Sequence, residues 1–158
     1  GTPAPPELLA AAQVALRAEL GRLLTDWHEE APRAELHAMI QEANNVGIEL
    51  DWDELGHVAH DRLVEVVDTW RGAPAELGAL KRMAAALELV ALVPTHVSLW
   101  EAQNGYVEAI SETWPAQRER ARQGDERAEA WVELFSELAA PLGVSPAAFE
   151  EVEPPPLP

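Results

Sequence analysis

Apolar side chains recur every three or four positions along most of the chain, which is the spacing of one face of an α-helix. The first of these stripes runs from about Pro6 to His28, and the third runs from Asp51 to about Gly72. Ala, Leu, Glu and Arg, which favour helices, dominate, and no run of Val and Ile alternates over the length of a strand. The pattern predicts an all-α fold with about six main helices, arranged as a compact bundle or as stacked helical hairpins.

Two segments have the spacing of a capping box, in which one side chain accepts a backbone N–H at the start of a helix and a glutamate reaches back. They are Asp51 with Glu54, and Ser98 with Glu101. The third and fifth helices are therefore expected to begin at these caps. Prolines, glycines and one aspartate mark the other expected helix ends. They are Pro32, Gly47, Gly72, Pro74, Pro94, Pro115, Gly124, Asp125 and Pro141.

The expected caps are evenly spaced along the chain. Asp51, Ser98 and Ser145 follow one another at intervals of 47 residues. A period of about 40–47 residues is typical of stacked helix pairs. Residue identity between the copies is low, so two explanations stay open: a true repeat of helix pairs, or a coincidence of helices with similar lengths.

The ends of the chain differ from its middle. Residues 1–5 are expected to be a linker, residues 6–150 a helical domain, and residues 151–158 a proline-rich tail in an extended, polyproline-like conformation. A chain of 158 residues has the usual size of one domain and buries enough surface to fold without a structural metal or a disulfide.

The charge balance changes which partners are expected. Asp and Glu number 28 against 11 Lys and Arg, which gives a formal net charge of −17. This charge either keeps the surface solvated or attracts a basic partner, and it repels nucleic acid and anionic membranes. No apolar run approaches the roughly 20 residues of a membrane span. We expect no nucleic-acid and no membrane partner, and the absence of cysteine favours a reducing, cytoplasmic location.

One group of polar residues resembles a metal site without meeting its requirements. One side of the third helix carries Asp53, His57, His60 and Asp61. The zinc-binding helix of a metalloprotease, however, needs two histidines four residues apart with a glutamate between them, and His57 and His60 are three apart. A solvated face is therefore expected. No nucleophile elbow, phosphate loop or pair of facing carboxylates is recognisable. We expect no catalytic residue, no metal site and no cofactor, and no hydrolase activity from this chain alone.

The six tryptophans fall into two groups. Four lie on apolar stripes and are expected in the core, namely Trp27, Trp70, Trp114 and Trp131. Trp52 and Trp100 instead follow helix caps, and Trp100 is joined on its helix by Gln103, Asn104 and Tyr106. An aromatic face beside amide groups suits a sugar ring or a partner chain, and plain packing is the other explanation for Trp100. These five residues are the predicted contacts to a ligand or partner.

The segment around Trp100 resembles a known family. Residues 99–104, with the sequence LWEAQN, and the leucine-rich helix of residues 77–93 resemble the uncharacterised helical domain that follows the catalytic module in some family 57 glycoside hydrolases. Residues 42–50, EANNVGIEL, are similar to an earlier helix–loop unit of that domain. The resemblance extends over about residues 35–144, and its most distinctive segment, LWEAQN, is six residues long.

The resemblance implies an accessory domain of a longer carbohydrate-active enzyme. In that family the catalytic carboxylates belong to an N-terminal barrel-type module. No segment of this chain matches that module, so the resemblance assigns no catalytic residue to this chain. The implied partners are the catalytic module of the same parent chain and a glucan, because helical regions of related enzymes pack on the barrel and help to form the glucan cleft. The alternative is a helical-repeat module for protein–protein interaction that is unrelated to carbohydrate.

Overall fold

The structure, a computed structural model, describes residues 3–150. Within them the chain forms eight helices and no strand: α1 (Pro6–Thr25), α2 (Arg33–Val46), α3 (Trp52–Gly72), α4 (Leu77–Leu92), α5 (Trp100–Glu112), α6 (Trp114–Arg122), α7 (Glu126–Glu137) and α8 (Ala147–Glu150). The prediction of an all-α fold is confirmed. The expected tail, residues 151–158, and the first two residues of the expected linker lie outside the described part of the chain.

The number of helices exceeds the predicted six for two reasons. Thr113 separates α5 from α6, and Pro115 occupies the first turn of α6. Because proline lacks a backbone N–H, the first turn of a new helix tolerates it where a helix interior does not. The sequence indicated a break at Pro115 without deciding between a kink and a restart. The other reason is the four-residue α8, a short last helix that was expected after Ser145 but is not one of the six main helices; the Ser145 hydroxyl accepts from the N–H of Ala147 at 3.3 Å.

Several expected helix ends are confirmed by their hydrogen bonds. The Asp51 carboxylate accepts a bond from the backbone N–H of Glu54 at 3.1 Å. Asp125 accepts from the N–H groups of Arg127 and Ala128 at 3.1 and 3.2 Å. Gly47 closes α2 in the left-handed conformation, with φ of 74°. The Asp51 and Asp125 side chains accept hydrogen bonds from N–H groups that have no partner within their own helix.

Two expected helix starts are wrong. Helix α5 begins at Trp100, and the Ser98 hydroxyl accepts from the N–H of Trp100, at 3.4 Å, instead of from the residue three positions on. Helix α4 begins at Leu77 rather than near Pro74, because the Glu76 carboxylate accepts from the N–H groups of Ala79 and Gly78, at 2.6 and 3.0 Å. These backbone bonds hold the pKa of Glu76 below its ordinary value.

Long and short helical segments alternate three times along the chain. The 20-residue α1 precedes the 14-residue α2, and the 21-residue α3 precedes the 16-residue α4. The α5–α6 segment then precedes the 12-residue α7. Helices α1, α3, α5 and α8 begin at residues 6, 52, 100 and 147. The helix starts therefore follow the interval that the expected caps indicated.

The described chain forms two compact units. Unit 1 comprises residues 3–62 and 85–97, and unit 2 comprises residues 63–84 and 98–150. Parts of α3 and α4 therefore belong to each unit. Each unit has its own set of buried side chains.

The core of unit 1 combines apolar burial with one cation over an aromatic ring. Leu20 and Leu36 are fully or almost fully buried, and the indole of Trp27 is 4% exposed. The guanidinium of Arg62 lies 5.0 Å from the centre of the Trp27 ring and donates to the Trp27 carbonyl oxygen at 2.7 Å. This contact joins the segment between α1 and α2 to α3, because Arg62 belongs to α3.

The core of unit 2 is an aromatic cluster around Phe135. The Phe135 ring is fully buried and stacks against Tyr106 and Trp131, with ring centres 4.2 and 4.5 Å apart. Trp70 and Trp114 pack at wider angles on the same ring, at 6.5 and 5.7 Å. These large side chains come from four helices, so their packing fixes the arrangement of α3, α5, α6 and α7 within the unit.

Glycine is needed at one helix contact of unit 1. A methyl group at Gly56 would lie 2.6 Å from the Cγ2 atom of Thr95, whose hydroxyl donates to Asp53 at 3.3 Å. Gly21 occupies a helix interior as well, but a methyl group there meets nothing within 4 Å. The two positions form a matched pair that separates crowding from helix propensity.

We expect Gly56→Ala to lower the free energy of unfolding by about 1–3 kcal/mol, because Thr95 must rotate away and give up its bond to Asp53. Gly21→Ala is expected to raise the free energy of unfolding by about 0.4–1 kcal/mol, because alanine restricts the unfolded chain. Urea unfolding of both variants measures the two values. A stabilising Gly56→Ala would contradict the close contact.

Candidate functional site

Trp100 is the tryptophan that unit 2 leaves exposed. Its side chain is the first of α5 and is 65% exposed. The four tryptophans expected in the core are buried, each with 8% exposure or less, which confirms that part of the sequence analysis: Trp27, Trp70, Trp114 and Trp131. An exposed indole in a unit that buries its other tryptophans so fully marks the start of α5 as a candidate contact surface.

The surface around Trp100 follows one side of α5. Gln103, Asn104 and Val107 lie three, four and seven positions after Trp100, and residues at these intervals share one helix face. Val107 is 54% exposed, and both amides are half-buried. We call these four residues the Trp100 face. It presents an aromatic ring and a branched aliphatic side chain with amides between them.

The Gln103 amide is used inside unit 2. Its nitrogen donates to the backbone carbonyl of Leu142 at 2.9 Å, and Leu142 is buried. This bond ties the middle of the Trp100 face to the segment that follows α7. Gln103 therefore supports the surface. Among the described residues, the Asn104 side chain makes no comparable bond.

Tyr106 does not belong to this surface, so its predicted contact role is wrong. The side chain is fully buried, and its hydroxyl donates to the carbonyl oxygen of Phe135. Burial also raises the pKa of Tyr106 above its ordinary value. A residue six positions after Trp100 lies roughly 120° away around the helix, on the side that faces the core. Tyr106 and Trp100 are close along the chain, but they do not share a helix face.

Trp52 lies in the other unit. It is the first residue of α3, it belongs to unit 1, and it is half-buried. Its predicted contact role therefore stays a prediction and concerns a different surface from the Trp100 face.

Close packing positions α5 beneath the Trp100 face. A methyl group at Gly105 would lie 3.1 Å from side-chain atoms of both Trp70 and Arg71. Arg71 also donates to both oxygens of Glu108 at 2.8 Å. Gly105 and this ion pair hold α5 against the end of α3, which leaves the opposite side of α5 to solvent.

Val107 is the residue that sequence reasoning missed. The signal was present, because Ala102, Tyr106, Ala109 and Ile110 form a complete buried stripe on α5. Trp100 and Val107 lie on the opposite side of that stripe, so two large apolar residues remain that the core does not use.

The polar residues of α3 do not form a metal site. The Nδ1 atom of His57 forms a hydrogen bond with the backbone oxygen of Asp53 at 2.6 Å. The Nδ1 atom of His60 lies 3.7 Å from a carboxylate oxygen of Asp61. Across residues 3–150 no group of three or more His, Cys, Asp or Glu side chains is placed to hold a metal ion. In the same residues, no helix has both the length and the apolar character to cross a membrane.

Comparison with known proteins adds no assignment. No protein-family model, no curated protein and no solved structure matches the chain. The resemblance to the helical domain of family 57 glycoside hydrolases therefore stays a prediction from the sequence.

We expect Trp100→Ala to lower the free energy of unfolding by less than about 1 kcal/mol, because an exposed indole makes few packing contacts. The matched change in the core is Trp131→Ala, which removes a stacked ring and a hydrogen bond from Nε1 to the Pro74 carbonyl at 2.9 Å. It is expected to cost about 3–5 kcal/mol. Urea unfolding compares them, and similar losses in the two variants would show that Trp100 belongs to the core.

Ionisation of Tyr106 is expected to couple to unfolding at alkaline pH. Because its pKa is raised in the folded protein, the tyrosine stabilises the fold fully below its unfolded pKa of about 10 and loses that contribution as the pH rises further. Tyr106 is the only tyrosine of the chain, so tyrosinate absorbance reports on it alone. The absorbance should rise together with unfolding measured by circular dichroism. Tyrosinate formation in a fully folded protein near pH 10 would contradict this burial.

Proposed function

We propose that this chain is a non-catalytic interaction domain that binds a protein surface through the Trp100 face. The observation that carries the proposal is the exposed indole of Trp100, with exposed Val107 two helical turns further along. Tryptophan is among the residues that contribute most to binding at the centres of protein interfaces. The arrangement offers an apolar anchor on a rigid helix, which reduces the entropy lost on binding.

A protein surface suits this face better than a glucan does. A sugar ring requires hydrogen-bonding side chains beside the aromatic ring for its hydroxyl groups. Tyr106 faces the core, and the Gln103 amide nitrogen is bonded to Leu142. Val107 adds methyl groups where a sugar hydroxyl would need a polar partner. An apolar partner side chain loses no hydrogen bond at this position.

The resemblance to family 57 glycoside hydrolases supplies the first candidate partner. In this candidate the domain is an accessory part of a carbohydrate-active enzyme in the cytoplasm and packs on the catalytic module of the same parent chain. The hydrolytic carboxylates would belong to that module, and the helical domain would help to shape the glucan cleft. This assignment rests on the residues that carry the resemblance.

The regular spacing of the helices favours a second candidate, a helical-repeat interaction module with no link to carbohydrate. Long helical segments begin at residues 6, 52 and 100, and a shorter helix follows each of them. Repeats of helix pairs commonly serve as binding scaffolds. Both candidates use the Trp100 face for a protein partner and differ in what that partner is.

We expect Trp100→Ala to weaken association with a family 57 catalytic module by about 1–3 kcal/mol, as measured by isothermal titration calorimetry. The reason is the loss of the largest apolar side chain from the interface. Val46→Ala is the matched control, because Val46 is 56% exposed but lies at the end of α2 in unit 1. It is expected to leave the association unchanged.

The same titrations separate the candidates. Equal affinity of the wild type and Trp100→Ala for the module would rule out the Trp100 face as the interface. If the wild type fails to bind the module, the enzyme candidate is wrong and the repeat module remains. Binding of a soluble glucan by the isolated chain, lost in Trp100→Ala, would show that the face recognises sugar instead of protein.

A further inference from the structure

A second unpartnered apolar surface lies in unit 1, between α1 and the beginning of α3. We propose that this groove binds a basic amphipathic helix of a partner protein. The groove shares no residue with the Trp100 face, so it would bind a partner independently of the proposed function. We call it the α1–α3 groove.

The groove has an apolar floor and a charged pair at its side. Its volume is about 300 Å³, and its lining residues are Val14, Arg17, Ala18, Gly21, Glu54, Leu55 and Val58. Arg17 forms an ion pair with Glu54. At Gly21 an added methyl group would meet no atom within 4 Å. The floor therefore leaves space that a side chain of another molecule can fill.

The first half of α1 contains apolar side chains that the fold leaves exposed to solvent. The buried residues of this 20-residue helix are Leu20, Leu23 and Leu24, all in its last turns. Leu8 and Val14 are 62% and 68% exposed. Removing such side chains from water contributes roughly 25 cal/mol per Å² of apolar surface. Val14 lines the groove, whereas Leu8 lies six positions earlier on a different side of α1. A partner helix in the groove would therefore gain the contribution of Val14, which folding of the chain leaves unused.

Charge determines which partner fits the groove. Of the groove's lining residues only Arg17 and Glu54 are charged, and they form an ion pair with each other. The negative charge that a partner would meet comes from the surroundings, where Asp51 and Asp61 lie on the same side of α3 as Val58. Unit 1 as a whole carries 13 Asp and Glu residues but only four Arg residues and no Lys. A helix with Lys or Arg beside its apolar stripe complements this surface.

The same charges disfavour other occupants. A second copy of the chain would bring a formal net charge of −17 against an equal charge, and like charges oppose such an association. An acidic peptide would meet the same repulsion. A basic helix gains apolar burial from α1 and electrostatic attraction from α3, so it is the partner that both observations support.

The test uses a fluorescein-labelled synthetic helix with Leu at i, i+3, i+4 and i+7 and Lys on the remaining surface, titrated with the full chain by fluorescence anisotropy. We expect it to bind the wild type and to bind Val14→Gln about tenfold more weakly, since one buried valine is lost from the interface. Val46→Gln makes the same change at an exposed valine outside the groove and should bind as the wild type does. Added salt should weaken the binding.

A second peptide with Glu in place of every Lys tests the charge argument, and it should not bind. Equal binding of the Lys and Glu peptides, or equal loss in the Val14 and Val46 variants, would overturn the proposal. A dimer in sedimentation velocity that Val14→Gln abolishes would instead assign the groove to a second copy of the chain. Val58→Gln is the second groove variant if Val14→Gln alters the melting curve. The proposed function is tested by Trp100→Ala, which should not change the affinity for either peptide.

Discussion

One backbone carbonyl organises the core of unit 2. The oxygen of Pro74, in the turn between α3 and α4, accepts hydrogen bonds from the indole N–H groups of Trp70 and Trp131, at 3.2 and 2.9 Å. A buried N–H without an acceptor costs about 1–3 kcal/mol, so the Pro74 oxygen removes that cost for two large indoles at once. The buried Nε1 of Trp114, by contrast, has no hydrogen-bond partner among the described residues, so the packing of that ring has to offset the cost.

The candidate binding face follows from that core. Trp131 stacks on Phe135, and Phe135 stacks on Tyr106, whose hydroxyl is bonded to the Phe135 backbone. Tyr106 therefore points inward, and this sets the rotation of α5 about its own axis. Trp100 and Val107, on the other side of the helix, are left in solvent. The surface available to a partner is thus decided by which side of α5 the aromatic cluster takes.

The exposed apolar side chains of the described residues are not scattered evenly. Leu8 and Val14 belong to α1, Trp100 and Val107 belong to α5, and Val46 stands alone at the end of α2. Of the two residues on α1, only Val14 lines the α1–α3 groove. The two surfaces differ in chemistry, because the face on α5 has amides around an indole whereas the groove has an Arg17–Glu54 ion pair and further acidic residues nearby on α3. The two proposed binding surfaces, one in each unit, account for four of these five residues only if Leu8 also contacts a partner, and for Val14, Trp100 and Val107 in any case.

Most helix positions were predictable, because caps and apolar periodicity act within a few residues: Asp51, Asp125 and Gly47 end or begin helices as their side chains and backbone preferences dictate. Four core tryptophans and the all-α class followed from the same local pattern. The sequence alone determined which segments become helices and which stripes are apolar. Only the tertiary structure decided that Tyr106 turns inward, that Val14 stays uncovered and that Pro74 serves two indoles. These outcomes depend on acceptors and packing surfaces contributed by residues far away in the chain, which no local pattern specifies.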